Sequence, residues 1–440
     1  MSIRVAASRR AVLRGSGAAL GLLATPTIVR AQSRELIFWT TQRAPEQIAA
    51  YKAIFAGFEK QHPGTTVTVQ SFLEEELLPK LAATLAAGTP PDLISHMPPE
   101  FVMQLNEQGL LQPVDEIIKT VGEGDFYENS LELLRDSKRG YYPGFAIVNS
   151  TTTGALWYRK DLVGDAGAAG YAGWDAMLET AKRTNRRGVF GTIYPFGKTS
   201  MGDKLLLQTI WRAGGYIINP DGSVGFNSPA TVAAFEFIRD LLKFSPAGSA
   251  NYAYTETVNG FVEGRAASAP YSGRVLINVQ AQNPKLADSI SVAPFPMPTG
   301  GRDVFVGDFQ SMVIPKAAKD QELSKQMALT LLKTDNYVRF LHVTPSHNLP
   351  NLKSVAASAE FSANPTIAKY HAEVDTMIAA TAKGRSLLKE SLEHTTNTQA
   401  GAILGSRVMV EALQDVIIGG MSPQAAAARG ADRIAGLMKA

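Results

Sequence analysis

Residues 35–39 read ELIFW, 45–60 read PEQIAAYKAIFAGFEK, and 66–69 read TVTV; LLPKLAATLAA at 77–87 and DLIS at 92–95 complete the run. The first segment is a short apolar strand. In the second, Ile48, Tyr51, Ile54, Phe55 and Phe58 recur at helical spacing, and His62-Pro63-Gly64 stops the helix. Residues 66–69 alternate as a second strand, and Gly88 closes a second helix. Thr89-Pro90-Pro91 then turns into a third strand. Strand, helix, strand, helix, strand predicts a parallel, doubly wound α/β sheet, in which ligands meet the carboxyl ends of the strands.

A second block follows Lys138-Arg139-Gly140. Residues 141–148 and 154–158 are apolar and extended, separated by the polar insert 149–153. Helical patterns at 174–183 and 204–213 flank a predicted strand at 189–194. Asn227-Ser228-Pro229 reads as an N-cap with proline in the first turn of a helix over 231–244. Residues 266–271 are strand-like, 294–302 form a Pro/Gly-rich connector, 304–314 are extended, and the chain from 319 on is mostly helical.

The N-terminus carries an address. Ser8-Arg9-Arg10 with Leu13 and Arg14 has the spacing of a twin-arginine export signal; a short apolar stretch and Val29-Arg30-Ala31 supply a cleavage site. Residues 1–31 are predicted to be removed and the product to work in the periplasm. They hold five arginines and no acid, so of the 43 basic residues 38 remain against 40 acidic ones, and the net charge moves from +3 to −2. No basic cluster remains, which excludes a nucleic-acid binder. The chain has no cysteine, so no disulfide and no lipid-anchored N-terminal cysteine is expected. No later segment is long and apolar enough to span a bilayer.

Further motifs run in order along the chain. These are LAATLAAGTPPD (81–92), QGLLQPVD (108–115), WYRKDL (157–162), Gly215 with DG (221–222) and FNSP (226–229), FVEGRAA (261–267), LP (349–350) and GMSPQAA (420–426). Together they resemble the bacterial extracellular solute-binding proteins of family 1, the carbohydrate-type receptors of ABC importers. Two positions depart from that pattern: Arg159 replaces an asparagine, and Arg274 stands near a frequent tryptophan. The resemblance implies a two-lobed periplasmic-binding-protein fold (type II), each lobe a mostly parallel sheet flanked by helices and joined by hinge strands. The implied lobes are 32–146 plus 300–334 and 147–299 plus 335–440, with crossings near 144–153, 298–306 and 333–337. It implies a monomer that needs no cofactor, traps a carbohydrate or related polyol between the lobes and hands it to permease subunits.

Sugar recognition needs flat apolar faces with polar groups for hydroxyls. Candidates at strand ends and crossovers are Trp39, Thr41, Gln42 and Arg43 after the first strand, Glu75 (or Glu74) after the second, and His96 after the third. The crossover adds Asn149 and Thr152. The second lobe adds Phe196, Trp211, Tyr271, Ser272, Gly273 and Arg274. The returning segment adds Asp308, Phe309 and Gln310, and His347 lies in a turn before Pro350. Trp39 reads equally well as core, Trp211 as helix packing, and the Glu74–Glu76 run as carboxylates at a helix N-terminus. Arg43 and Arg274 converging on one ligand would suit an acidic sugar or a polyol phosphate instead.

Enzyme signatures fail on spacing. The stretch from Gly191 to Thr199 has five residues between its glycines, not four, and contains Pro195, so it is no phosphate loop. Gly222-Ser223-Val224-Gly225 lacks the first glycine of a nucleophile elbow. Six scattered histidines give no metal spacing. Glu75 and Asp308 as an acid–base pair of a periplasmic glycoside hydrolase remain a distant alternative.

Overall fold

In the computed structural model, residues 34–150, 154–391, 394 and 396–439 are described. The expected export signal and Thr152 lie outside them. Eleven strands occur among the described residues: β1 (Arg34–Thr40), β2 (Thr65–Ser71), β3 (Leu93–Met97), β4 (Phe145–Asn149), β5 (Ala155–Arg159), β6 (Ser268–Pro270), β7 (Ile290–Pro294), β8 (Phe305–Val306), β9 (Phe309–Val313), β10 (Leu349–Pro350) and β11 (Gly384–Arg385).

The opening segment folds as its pattern predicts. Leu36 and Phe38 point to one face of β1 and pack with Tyr51, Phe55 and Phe58 of helix Pro45–Gln61. The opposite face carries Trp39, which joins Leu77, Leu81, Ile94 and Met97 in a smaller cluster under helix Glu74–Ala86. β1 runs parallel to both β2 and β3. The Asp92 carboxylate accepts the Ile37 amide at 2.7 Å and the Lys319 amide at 3.2 Å, tying β1 to the turn beyond β9.

The first-lobe sheet has the order β10-β4-β9-β3-β1-β2. The two-lobed α/β class stands, but the expectation of mostly parallel sheets is corrected. β9 runs antiparallel to β3 and β4, and β10 antiparallel to β4. The second lobe's sheet, β6-β5-β7, is antiparallel throughout. A parallel pair needs a crossover connection within one lobe, whereas β9 arrives from the other lobe and enters against the sheet's direction. The predicted strand at 189–194 is an irregular segment held beside β6 by Phe190, whose amide donates to Arg265 O and whose carbonyl accepts from Ala267 N, both at 2.8 Å.

The chain leaves the first lobe between β4 and β5 and returns between β7 and β9. The expected third crossing at 333–337 is not where the contacts put it. Helix Thr334–Leu341 buries Tyr337, Val338, Phe340 and Leu341 and packs on helix Pro45–Gln61, with the Phe340 ring stacked 5.1 Å from Tyr51. Lys353 and Ser354 then bond to Gly124 and Asp125. Ser346 and His347 touch Gly273 and Ser272 of the second lobe, and from Pro365 on the chain packs there, through Thr366 to Gln280 and Lys369 to Asp288. An amphipathic helix declares that it has a buried face, not which lobe covers it.

Candidate functional site

The carboxyl end of the first-lobe sheet gathers polar groups that the protein itself leaves unanswered. His96, next to last in β3, has a left-handed backbone (φ 61°) at a register shift against β9. Its ring is buried, with Nδ1 3.2 Å from Tyr51 Oη and 3.0 Å from Ser95 Oγ. Burial, reinforced by His347 nearby, lowers its pKa to about 3, so the imidazole is neutral. Two hydroxyls at Nδ1 favour the tautomer with the proton on Nε2, and Nε2 has no partner.

The neighbouring strands continue the row. Asn149, paired with Phe309 and Leu349, accepts the Asp308 amide at 3.0 Å on Oδ1 and leaves Nδ2 unpartnered. Gln310 Oε1, Ser311 Oγ, Thr344 Oγ1, Ser346 Oγ and Asn348 Nδ2 are also buried without a protein partner. Each such group costs about 1–3 kcal/mol when left dry. A concentration of them along β3, β4, β9 and the loop before β10 marks a surface built to bond something else.

The second lobe closes over this row. Ser272 Oγ lies 3.0 Å from His347 Nδ1, and Trp157 Nε1 donates to the carbonyls of Tyr271 and Ser272 at 3.0 and 3.1 Å. Tyr271 stands edge-on to Tyr254, centroids 6.2 Å apart. Burial, then the charge of Arg274, lowers the His347 pKa to about 4, partly offset by Asp308.

Between the lobes lies a cleft of about 430 Å³, with Phe101, Lys204, Tyr254, Asp308, Gln310 and Arg407 in its walls. The cations in its wall are already matched. Lys204 Nζ sits 2.9 Å from Asp308 Oδ1, and Ser150 Oγ donates to the other oxygen at 3.1 Å. Burial pulls the Lys204 pKa down, but Asp308, with Tyr254 and Glu74, more than offsets it, so the ammonium is held charged. Arg407, itself left-handed (φ 60°), donates at 3.0 Å to the buried Asp203, which also accepts the Val410 amide.

Of the sequence-predicted residues, Asp308, Phe309 and Gln310 line the cleft; Asn149 adjoins it through the Asp308 amide, and Ser272, between Tyr271 and Gly273, meets His347, which lies near His96. Thr41 and Gln42 stand at the rim, Thr41 Oγ1 donating to His96 O at 2.9 Å and Gln42 accepting from Gln47. Arg43 and Arg274 are exposed. Glu75 lies in helix Glu74–Ala86. Three expectations are corrected. Trp39 is core, its Nε1 donating to Gln70 at 2.9 Å; Trp211 is core, bonded to Glu390 at 2.6 Å; Phe196 is buried and stacked 5.4 Å from Tyr194. For both tryptophans the apolar body outweighs the polar edge, which finds a partner inside, and Phe196 has no polar edge to keep it at the cleft. Lys204, Tyr254, Phe101, Ser346, Asn348 and Arg407 were missed. Lys204 and Tyr254 sit in the first turns of helices Ser200–Arg212 and Tyr254–Val262, where a helix pattern shows no cleft.

Two α/β lobes linked by crossing strands, with a polar, aromatic-edged cleft between them, define a ligand-trapping receptor. The sequence profile of the family described as "Bacterial extracellular solute-binding protein" matches residues 44–335, and the chain belongs to that family. YcjN of Escherichia coli (strain K12), named as an ABC transporter periplasmic-binding protein, is 26% identical over 330 residues, covering 73% of this chain and 74% of that one. The fold is also that of a Thermotoga lettingae solute-binding protein bound with alpha-D-tagatose (TM-score 0.71, 22% identity, 92% of this chain and 100% of that one). It is equally that of the GacH receptor of Streptomyces glaucescens, solved unliganded and with acarbose (TM-score 0.74, 20% identity, 92% and 99%). Among the described residues no helix is long and apolar enough to cross a membrane.

Proposed function

We propose that this chain is the periplasmic receptor of an ABC importer, trapping a neutral carbohydrate or polyol between its lobes and delivering it to membrane permease subunits. The observation that carries this reading is the row of unpartnered neutral donors and acceptors, from His96 Nε2 through Asn149 and Gln310 to Asn348. Amides, hydroxyls and a neutral imidazole match the alternating donors and acceptors of a polyhydroxyl ligand. Tyr254, Tyr271 and Phe309 supply the apolar faces for ring C–H surfaces. Because Lys204 and Arg407 already hold carboxylates, a sugar acid or polyol phosphate gains little from them.

Closure is a population shift: a ligand touching both lobes favours the closed state by its differential affinity. No chemistry on the ligand is proposed, since Asp308 is engaged by Lys204 and Ser150 rather than poised as an acid or base. Export is assigned to the Ser8-Arg9-Arg10 signal; replacing both arginines by lysine should leave the protein in the cytoplasm.

The test is a thermal-shift screen over neutral mono- and oligosaccharides, polyols, sugar acids and polyol phosphates. A neutral sugar or polyol should raise the Tm, by an amount that grows with its concentration. A response confined to anionic ligands, or release of a hydrolysis product, would overturn the reading.

A further inference from the structure

Residues Phe305 and Val306 of β8 face opposite ways, as neighbours on a strand must. Val306 lines the cleft, and Phe305 lines a separate cavity of about 590 Å³ behind it. That volume lies within the roughly 300–1,000 Å³ of small-molecule sites. The cavity sits between the turn Gly164–Tyr171, helix His371–Thr381 and β8, and Tyr171, Phe295 and Phe305 give it an aromatic floor.

One cation lies at the bottom. The Arg212 side chain is 3% exposed, its guanidinium 4.5 Å from the Phe305 ring centroid. Nη1 donates to Asp303 Oδ1 at 3.3 Å and Val304 O at 3.2 Å, while Nε is buried with no partner. Asp303 is claimed a second time, by Lys383 at the cavity's rim. Two cations therefore share one carboxylate, and among the described residues no other acid lines the cavity. An under-neutralised buried guanidinium with a free N–H invites an anion, and planar carboxylates fit it best.

We propose that the second lobe carries a second binding site, distinct from the interlobe cleft, for a small amphipathic carboxylate: the head group meets Arg212 and Lys383, and the apolar body lies on Tyr171, Phe295 and Phe305. The site is independent of the sugar reading, since among the described residues none lines both cavities.

Isothermal titration of the full chain with octanoate, and separately with octan-1-ol, tests it. Octanoate should bind saturably at one site, with the uncharged alcohol at least about tenfold weaker. Thr376→Trp, which fills the mouth from helix His371–Thr381, and Lys383→Met, at an exposed position, should each weaken octanoate about tenfold. Lys204→Met, in the cleft, should leave it unchanged. Absence of saturable octanoate binding, equal binding of the alcohol, or loss on Lys204→Met with indifference to Thr376→Trp would overturn the proposal.

Discussion

Gly273 of the second lobe and Ser346, in the loop before β10, approach so closely that a Cβ on Gly273 would stand 1.9 Å from the Ser346 carbonyl oxygen. Only glycine allows that contact, and Ser346 meets it from a left-handed backbone (φ 67°). Gly273→Ala must push the lobes apart at this point. The expected outcome is a more open apo protein, seen as a larger radius of gyration in solution scattering. Affinity for the best sugar of the screen should fall about tenfold, the fraction of closing-competent molecules being reduced. An unchanged scattering profile and unchanged affinity would show that the contact does not govern closure.

Asn149 and Gln310 offer a different signature. Each has a buried polar atom with no protein partner, so truncation removes a ligand bond without breaking a bond inside the protein. Asn149 also holds the Asp308 amide, so Gln310→Ala is the cleaner change. It should leave the apo Tm unchanged or higher while costing about 1–3 kcal/mol of ligand binding. Urea unfolding of the apo protein and titration with sugar separate the two effects.

Trp211 should behave in the opposite way. It is fully buried and bonded to Glu390, whose carboxylate also accepts the amides of Ile217 and Ile218 at 2.9 and 2.7 Å. Trp211→Ala is expected to cost about 3–5 kcal/mol of stability. Ligand affinity of the molecules that remain folded should be unchanged. A selective loss of binding without loss of stability would return Trp211 to the cleft.

Much of this was legible in the chain. The β1-to-β3 alternation and the buried face of helix Pro45–Gln61 follow from periodicity and punctuation, while the crossings near 144–153 and 298–306 came from the family resemblance. What was not legible depends on distance. Lys204 and Asp308 meet across 104 residues, and no local pattern records that pairing. Tryptophan is ambiguous for a physical reason: Trp39 and Trp211 each present a large apolar body with one N–H, which suits a sugar platform or a core with one acceptor equally. The lobe that receives helix Thr334–Leu341 was misassigned because its apolar face fits either.

Burial sets a pH dependence of stability with two opposing parts. Asp203 and Glu390 are raised to about 6 and about 7, chiefly by desolvation. The folded state then holds more protons than the unfolded chain between about pH 4 and 7, so their contribution falls as the pH rises through that window. His96 and His347, lowered to about 3 and about 4, act the other way. The unfolded chain takes up their protons first, and stability is lost as the pH falls below about 6.5. Glu390→Gln should therefore cost stability at every pH, through one mismatched donor, and flatten the decline between about pH 5 and 7. Melting temperatures across that range check the slope.

On the proposed reading, Asp308 should set the charge preference of the cleft. Its carboxylate neutralises Lys204 at 2.9 Å, and both side chains are about three-quarters or more removed from solvent, 25% and 19% exposed. Asp308→Asn keeps the shape and an acceptor for Ser150 but leaves the ammonium uncompensated. The stability cost should be about 1–3 kcal/mol, discounted for the residual exposure of the pair. The freed Lys204 should then draw anions into a cleft that excluded them. Galacturonate or glucuronate should raise the Tm of the variant and not of the wild type, while neutral sugars lose affinity in the variant. The gain should fade with added salt, because the new attraction is between partly exposed charges. If the wild type already responds to sugar acids as strongly as to neutral sugars, the Lys204–Asp308 pair is not what sets the charge preference. Recognition would then have to run through the exposed Arg43 and Arg274.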